Sequence, residues 1–225
     1  MSLVLNIDTT SEAALANIAE NGVVLLEERN EIQNNHAAFL HPALQSLLHK
    51  TGKALKDIDA VAVSHGPGSY TGIRVGTAAA KGLCYAAGKP LIVVGQLELL
   101  AQDAIANSSL SGALYCPMID ARRMEVFAAV YNSSLKEIMP AAALVLDENS
   151  FDVYLKAGKM VFSGSGATKW KQLAKAENAL FAETINKGLA FALLSHKKFI
   201  DKQFANLAYA APLYVKPFYP GANAR

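Results

Sequence analysis

Cysteine is scarce: Cys84 and Cys116 are the only two in 225 residues. Neither has a histidine or second cysteine beside it at metal-ligand spacing, so neither a zinc site nor a disulfide is expected; both read as buried thiols acting as small apolar side chains. Long hydrophobic runs are also missing. Stretches such as Ala141 to Leu146 fall well short of the roughly 18 to 20 residues that span a bilayer, although 52% hydrophobic content is ample for a core. The start, "MSLVLNIDTT", has no basic leader and meets Asp8 early, which argues against a secretory signal and for a cytoplasmic protein. Charge of one sign is lacking too. Lys and Arg number 21 against 19 Asp and Glu, too balanced to announce nucleic-acid binding, while the pairs Arg122-Arg123 and Lys197-Lys198 leave it open.

What is present is a pattern of strands and helices that occurs twice. Leu3, Leu5 and Ile7 alternate, "AALANIAE" supplies a second strand, and Asn21-Gly22 is a hairpin turn leading into "VVLLEE". Asn34 or Asn35 is placed to cap a helix over 36–49, where Phe39, Leu40, Ala43, Leu44, Leu47 and Leu48 recur at helical spacing and Pro42 sits at a kink or near the first turn. "AVAVS" at 60–64 is a short buried strand, a glycine loop follows, and a helix is expected over 70–87, stopped by Gly88 and Pro90. "LIVV" is the next strand and 97–106 the next helix. Laying Asp8 on Asp120 brings Ile7 onto Ile119, Leu15 onto Phe127, Ile18 onto Val130 and Asn21 onto Ser133. A weaker echo pairs "VAVSHGPGS" with "MVFSGSGAT". The reading is an internal duplication in two lobes, 1–106 and 107–225, with a helix after Gly188 and an extended tail through "APLYVKPFYP" assigned to the second.

The glycine loop "HGPGSYTGIRVGTAAAKGL" (65–83) fails three specific tests. A P-loop needs four residues between its glycines and then Lys, but Gly68 meets Gly72 one position too soon and Ile73 stands where Lys should. A dinucleotide fingerprint fits Gly66 and Gly68 but finds Thr71 in the third position. A nucleophile elbow around Ser69 would need glycines where Pro67 and Thr71 stand. What survives is general: a helix N-terminus with free amides can take an anion. Along the helix, Gly72, Gly76, Ala80, Cys84 and Gly88 form a ridge of small residues. Gly72, Gly76 and Gly82 inside it cost together about 3 kcal/mol, so a close contact should offset them. Spacing favours the lobe's own sheet as that contact, with a partner helix as the alternative. The histidines (His36, His41, His49, His65, His196) form no metal motif. Asp8 and Asp120 each end the first strand of a lobe; they could face each other across a cleft and hold Mg²⁺ with a nucleotide, or act as turn caps.

"LNIDTT", "HPALQSLL", "DIDAVAVSHGPGSYTGIRVGTAAAKGL", "KPLIVVGQLELLA", "IDARRMEVFAAVY", "VFSGSGATKW" and "APLYVK" follow one another in an order that resembles the TsaB family over nearly the whole chain. The resemblance implies the α/β two-lobed fold of actin, sugar kinases and the Hsp70 ATPase (ASKHA), with duplicated ribonuclease H-like lobes. It implies a non-catalytic role in bacterial formation of threonylcarbamoyladenosine beside the tRNA anticodon, as partner of the transferase TsaD and the ATPase TsaE. On this reading tRNA is reached through the complex, no membrane is involved, and the chain has no cofactor of its own, ATP and Mg entering at complex level. TsaD carries a metal-binding HxxxH after the strand matching "LIVV"; this chain has "GQLELLA" there, which argues against the transferase activity and leaves an M22-type metallopeptidase as the least favoured alternative. A nucleotide-dependent enzyme of the same fold is the alternative. The implied pairing surface, for TsaD or a second copy, is Phe39, Leu40, Leu44 and Leu47 on one helix and Arg74, Gly76, Ala80 and Lys81 on the next. The implied anion or nucleotide loop comprises Asp8, Thr9, Thr10, Gly66, Gly68, Ser69, Thr71, Gly72 and Asp120.

Overall fold

Strand β1 (Leu3–Asp8) is buried along its whole length, because it lies at the centre of a sheet covered on both faces. It pairs antiparallel with β2 (Ala14–Glu20) and parallel with β4 (Ala60–Ser64). With β3 (Val23–Asn30) and β5 (Leu91–Val94) the order is β3-β2-β1-β4-β5. A computed structural model describes residues 1–32 and 35–216; the expectations placed on Asn34 and on the prolines of "KPFYP" fall outside them.

The alternation along β1 and β4 decides what covers each face. Leu3, Leu5, Ile7, Val61 and Val63 turn to α1 (His36–Thr51) and α2 (Tyr70–Ala87), where Leu40, Leu44, Leu47, Ala80 and Cys84 complete one core. Val4, Ala60 and Ala62 turn the other way, to α3 (Gln96–Ala106) and to a helix from the far end of the chain. Asn35 stands at the N-cap of α1 without a side-chain cap bond, whereas Ser69 does cap α2, its hydroxyl accepting from Gly72 N. Gly88 ends α2 at φ +63, a left-handed conformation in which glycine escapes the Cβ clash.

The second half repeats the first. Strands β6 (Leu114–Asp120), β7 (Glu125–Tyr131) and β8 (Glu137–Val145), helix α4 (Asp152–Ala157), β9 (Met160–Ser163), α5 (Ala167–Leu173) and β10 (Ala179–Ala182) give the sheet β10-β9-β6-β7-β8. Read from its other edge, this order is that of the first sheet, and the duplicated lobes make the actin-like ASKHA fold. The alignment on Asp8 and Asp120 needs one correction. Asp8 pairs with Leu15, but Asp120 pairs with Val126; the second hairpin is one residue tighter, so Leu15 corresponds to Val126 rather than Phe127.

The C-terminal stretch also departs from expectation. Helix α6 (Lys187–Ile200) does not join the second lobe but packs on the first sheet and on α3, with Phe191 and Leu194 against Val4, Leu15, Ile92 and Val94. Its N-terminus is held by Asp103, whose carboxylate accepts from Ile185 N (2.8 Å) and Asn186 N (2.7 Å). Residues 203–216 then run back over the first lobe as a strap: Ala205 bridges to Leu91, and Leu213 N donates to His65 O at 2.8 Å. The physical cause is the apolar second face of the first sheet, which α3 alone does not cover.

Both cysteines are free and buried, as their sequence setting suggested. Burial pushes the Cys84 thiol up to about 11 and the Cys116 thiol higher still. A thiol reagent such as DTNB at about pH 8 is therefore expected to react with neither in the native protein and with both after denaturation, since the thiolate is the nucleophile. Rapid native labelling would contradict this packing.

Candidate functional site

The two acids expected to face each other have different surroundings. Asp8 is fully buried. One carboxylate oxygen accepts from Thr10 N (2.9 Å) and Thr10 Oγ1 (2.6 Å), and the other is ion-paired with Lys187 Nζ at 2.8 Å. That ammonium also donates to Ser11 Oγ at 2.6 Å. Burial alone would raise the Asp8 pKa, but Lys187 and the Thr10 hydrogen bonds outweigh it and hold the carboxyl below its ordinary value. Asp120 is exposed at the border of the cleft between the lobes, paired with Lys169 at 2.7 Å and accepting from Arg122 N at 2.6 Å. Desolvation raises its pKa, and Lys169 with the Arg122 amide brings it below normal. So the pair does not converge on one cation: Asp8 is closed by an internal ammonium, and Asp120 works as a turn cap with its own lysine.

The glycine loop is explained by close packing. A Cβ on Gly68 would lie 2.2 Å from Thr10 O, and one on Gly72 would lie 1.9 Å from Thr9 O. The turn after β1 thus presses its backbone into the start of α2. Ser69 N donates to Thr10 O (2.7 Å) and Thr9 Oγ1 donates to Gly72 O (2.7 Å). These bonds take up Ser69 N, and the Ser69 cap takes up Gly72 N, so two of the amides expected to receive an anion already have acceptors. Thr71 is exposed in the first turn, and Gly66 is overlaid by the strap, its Cβ position 2.8 Å from Leu213 O.

The expected pairing surface is largely corrected. Leu40, Leu44, Leu47, Gly76 and Ala80 are buried inside the first lobe; a Cβ on Gly76 would already lie 2.4 Å from Thr9 Oγ1. Spacing alone had placed this ridge against the sheet, and the sheet is where it packs. Arg74 and Lys81 hold the strap: Arg74 Nε donates to Tyr214 Oη (3.0 Å), and Lys81 Nζ to the carbonyls of Ala208 (3.2 Å) and Ala210 (3.0 Å). Phe39 is half-buried. What the adjacent helices α1 and α2 leave open is a different stripe: Ala37, His41 and Gln45 on one, Ala78, Gly82 and Tyr85 on the other, with Tyr85 84% exposed.

Between the lobes lie two adjoining cavities of about 1030 and 990 Å³ that share Pro67, Gly68, Phe127, Arg122 and Arg123. One is aromatic, with Tyr70 and Tyr214 on its wall; the other is polar, bordered by Thr10, Ser11, Ser69, Lys169 and Lys187. Gln96 and Leu100, one turn apart at the start of α3, also border the polar cavity, and Gln96 Oε1 accepts from Ser64 Oγ at 2.9 Å. Among the described residues no three His, Cys, Asp or Glu side chains gather as a metal set, and no helix is long and apolar enough to cross a membrane. Lys187 was missed by sequence reasoning. It stands 179 positions from Asp8, and a single lysine at the start of a helix carries no signal of such a pairing.

Residues 25–216 match the family model described as TsaD, tRNA N6-adenosine threonylcarbamoyltransferase. The chain is 31% identical over 173 residues to the tRNA threonylcarbamoyladenosine biosynthesis protein TsaB of Bacillus subtilis, covering 76% of this chain and 74% of that one. It is 32% identical over 177 residues to the protein of the same name from Escherichia coli, covering 76% and 75%. Among solved structures, an uncharacterized protein with similarity to peptidase YEAZ from Pseudomonas aeruginosa superposes with TM-score 0.81 at 26% identity, over 96% of this chain and all of the other.

Proposed function

The chain belongs to the TsaB family, and from that membership we propose that it is a non-catalytic subunit in the formation of threonylcarbamoyladenosine in tRNA, paired with a TsaD-type transferase and acting with a TsaE-type ATPase and ATP. The observation that carries the non-catalytic part is the Asp8–Lys187 ion pair. An enzyme of this fold that holds Mg-nucleotide between its lobes needs a carboxylate free for the cation, and here the buried one is neutralised from within. A nucleotide-dependent enzyme would require Lys187 to leave; a metallopeptidase has no ligand set among the described residues to rest on.

For the partner, the exposed stripe of α1 and α2 supports the reading. Ala37, Ala78 and Gly82 are small enough for another helix to approach closely, and Tyr85 supplies an aromatic anchor beside them. A second copy of this chain would use the same stripe. Tyr85→Glu combined with Ala78→Arg is expected to abolish co-elution with the cognate TsaD-type protein while leaving the thermal unfolding curve within about 1 kcal/mol of the parent, because both sites are on the surface. Reconstituted threonylcarbamoyl transfer should need this chain. Full transfer in its absence, or unchanged co-elution of the double variant, would remove the proposal or its surface respectively.

A further inference from the structure

The turn between β6 and β7 carries two arginines in an unusual backbone state. Arg122 and Arg123 lie at φ +71 and +50, a left-handed region that Gly or Asn occupies at lower cost. The turn itself is well tied. Arg122 N donates to Asp120 Oδ1 (2.6 Å), Ala121 N to Glu125 O (3.1 Å) and Glu125 N to Arg122 O (3.1 Å). The side chains are not tied. Both arginines are exposed, and among the described residues no hydrogen bond or ion pair engages either guanidinium. The neighbouring carboxylates are already neutralised: Asp120 by Lys169 at 2.7 Å, Glu125 by Lys216 at 2.8 Å. Two unmatched positive charges therefore stand where the two interlobe cavities meet.

Beside them is an aromatic wall. The rings of Tyr70 and Tyr214 lie 5.3 Å apart, 39% and 43% exposed. Arg74 fixes both, stacking 4.0 Å over the Tyr70 ring and donating to Tyr214 Oη. Guanidinium groups match phosphate oxygens in bidentate fashion, and exposed aromatic rings receive unstacked bases. We propose that this groove binds a single-stranded stretch of RNA, with Arg122 and Arg123 on its phosphates and the Tyr214 face on a base. The inference rests on the tRNA-modification reading above and deepens it from a contact made through the complex to a direct one.

A polymer is favoured over a free nucleotide by two observations. The aromatic cavity continues past the arginines into the polar one, giving a path longer than one nucleotide. A nucleotide with its Mg²⁺ would need a free acid, and Asp8 is held by Lys187.

The test is fluorescence anisotropy with a fluorescein-labelled anticodon-loop oligoribonucleotide, using the full chain alone and in complex with its TsaD-type partner. The double variant R122A/R123A is expected to weaken binding at least about tenfold and to lower the log–log salt slope by about 1.4, as two lost phosphate contacts should on a single strand. Tyr214→Ala should weaken binding about tenfold with little change in slope, and Tyr214→Phe should keep it. Circular dichroism melts check folding, and co-elution with the partner is scored separately. Retained co-elution with RNA binding unchanged in R122A/R123A overturns this proposal and leaves the partnership standing; lost co-elution of the parent chain strikes the partnership instead. No RNA binding by either the chain or the complex also overturns it, as does full displacement of the RNA by equimolar ATP or by an acidic peptide.

Discussion

Lys187→Ala is expected to lower stability by about 3–5 kcal/mol, the cost of leaving a buried charge without its partner. For a chain of this size that is a fall in melting temperature on the order of 10 °C. Asp8 is fully buried and Lys187 is 13% exposed by side chain, so the two single variants should not be equal. Without the lysine, Asp8 must stay charged in a buried site with only the Thr10 hydrogen bonds to support it, or take up a proton; without the acid, in Asp8→Asn, the lysine can swing toward the cleft. Asp8→Asn with Lys187→Met should recover most of the loss, since replacing both members of a buried pair by neutral groups is often close to neutral. The sign with pH follows from the depressed Asp8 pKa. A carboxyl whose folded pKa lies below its unfolded one contributes stability in full above the unfolded value, here 3.8, and loses it as pH falls through the folded value. Urea midpoints at about pH 7 and about pH 3 should therefore converge between parent and Asp8→Asn on acidification. If Lys187→Ala were as stable as the parent and Mg²⁺ raised its melting temperature further, the site would be a vacant cation position rather than a structural lock.

That lock also shows where sequence reading stops. Short-range features were legible because local chemistry sets them: Asn21 and Gly22 adopt φ +50 and +82 between β2 and β3, and α2 runs from its Ser69 cap to Gly88 over the expected residues. The duplication was legible from the repeated strand-Asp-turn-strand pattern, but its register slipped by one residue in β7, because an ungapped match cannot sense that a turn has tightened. The direction a helical face takes was harder. The ridge of Gly72, Gly76 and Ala80 marks a place of close approach without saying whether sheet or partner does the approaching; the resemblance pointed to the partner, and the geometry gives it to the lobe's own sheet and the turn after β1, with Gly72 against Thr9 and Gly76 against Thr9, Ile7 and Val63. Long-range placement was not legible at all. Nothing near Lys187 says that α6 crosses back to the first sheet, or that Arg74 and Lys81 would be occupied by the strap.

The same mutation at two glycines of one helix should have opposite signs. In Gly72→Ala the new methyl would sit 1.9 Å from Thr9 O, a backbone atom that cannot rotate away. The turn after β1 would have to shift, straining the Thr9 Oγ1 bond to Gly72 O, the Ser69 N bond to Thr10 O and, one residue back, the Asp8–Lys187 pair. Overpacking of this kind costs about 1–3 kcal/mol, and the lost hydrogen bonds add to it. Gly82 lies ten residues on (82 − 72) and is exposed, with nothing within 4 Å of its Cβ position. There alanine only restricts the unfolded chain and favours the helix, so Gly82→Ala is expected to gain about 0.5–1 kcal/mol. Equilibrium unfolding in urea of the two variants side by side measures both, and equal effects would contradict the packing of α2. The contrast bears on function, since folding does not require the exposed glycine. A helix that forgoes that gain at Gly82 keeps its surface flat beside Tyr85, and the variant that folds better should bind the TsaD-type partner less tightly if a partner helix comes to that surface. Gly82→Ala with higher stability and undiminished partner affinity would move the interface off this stripe.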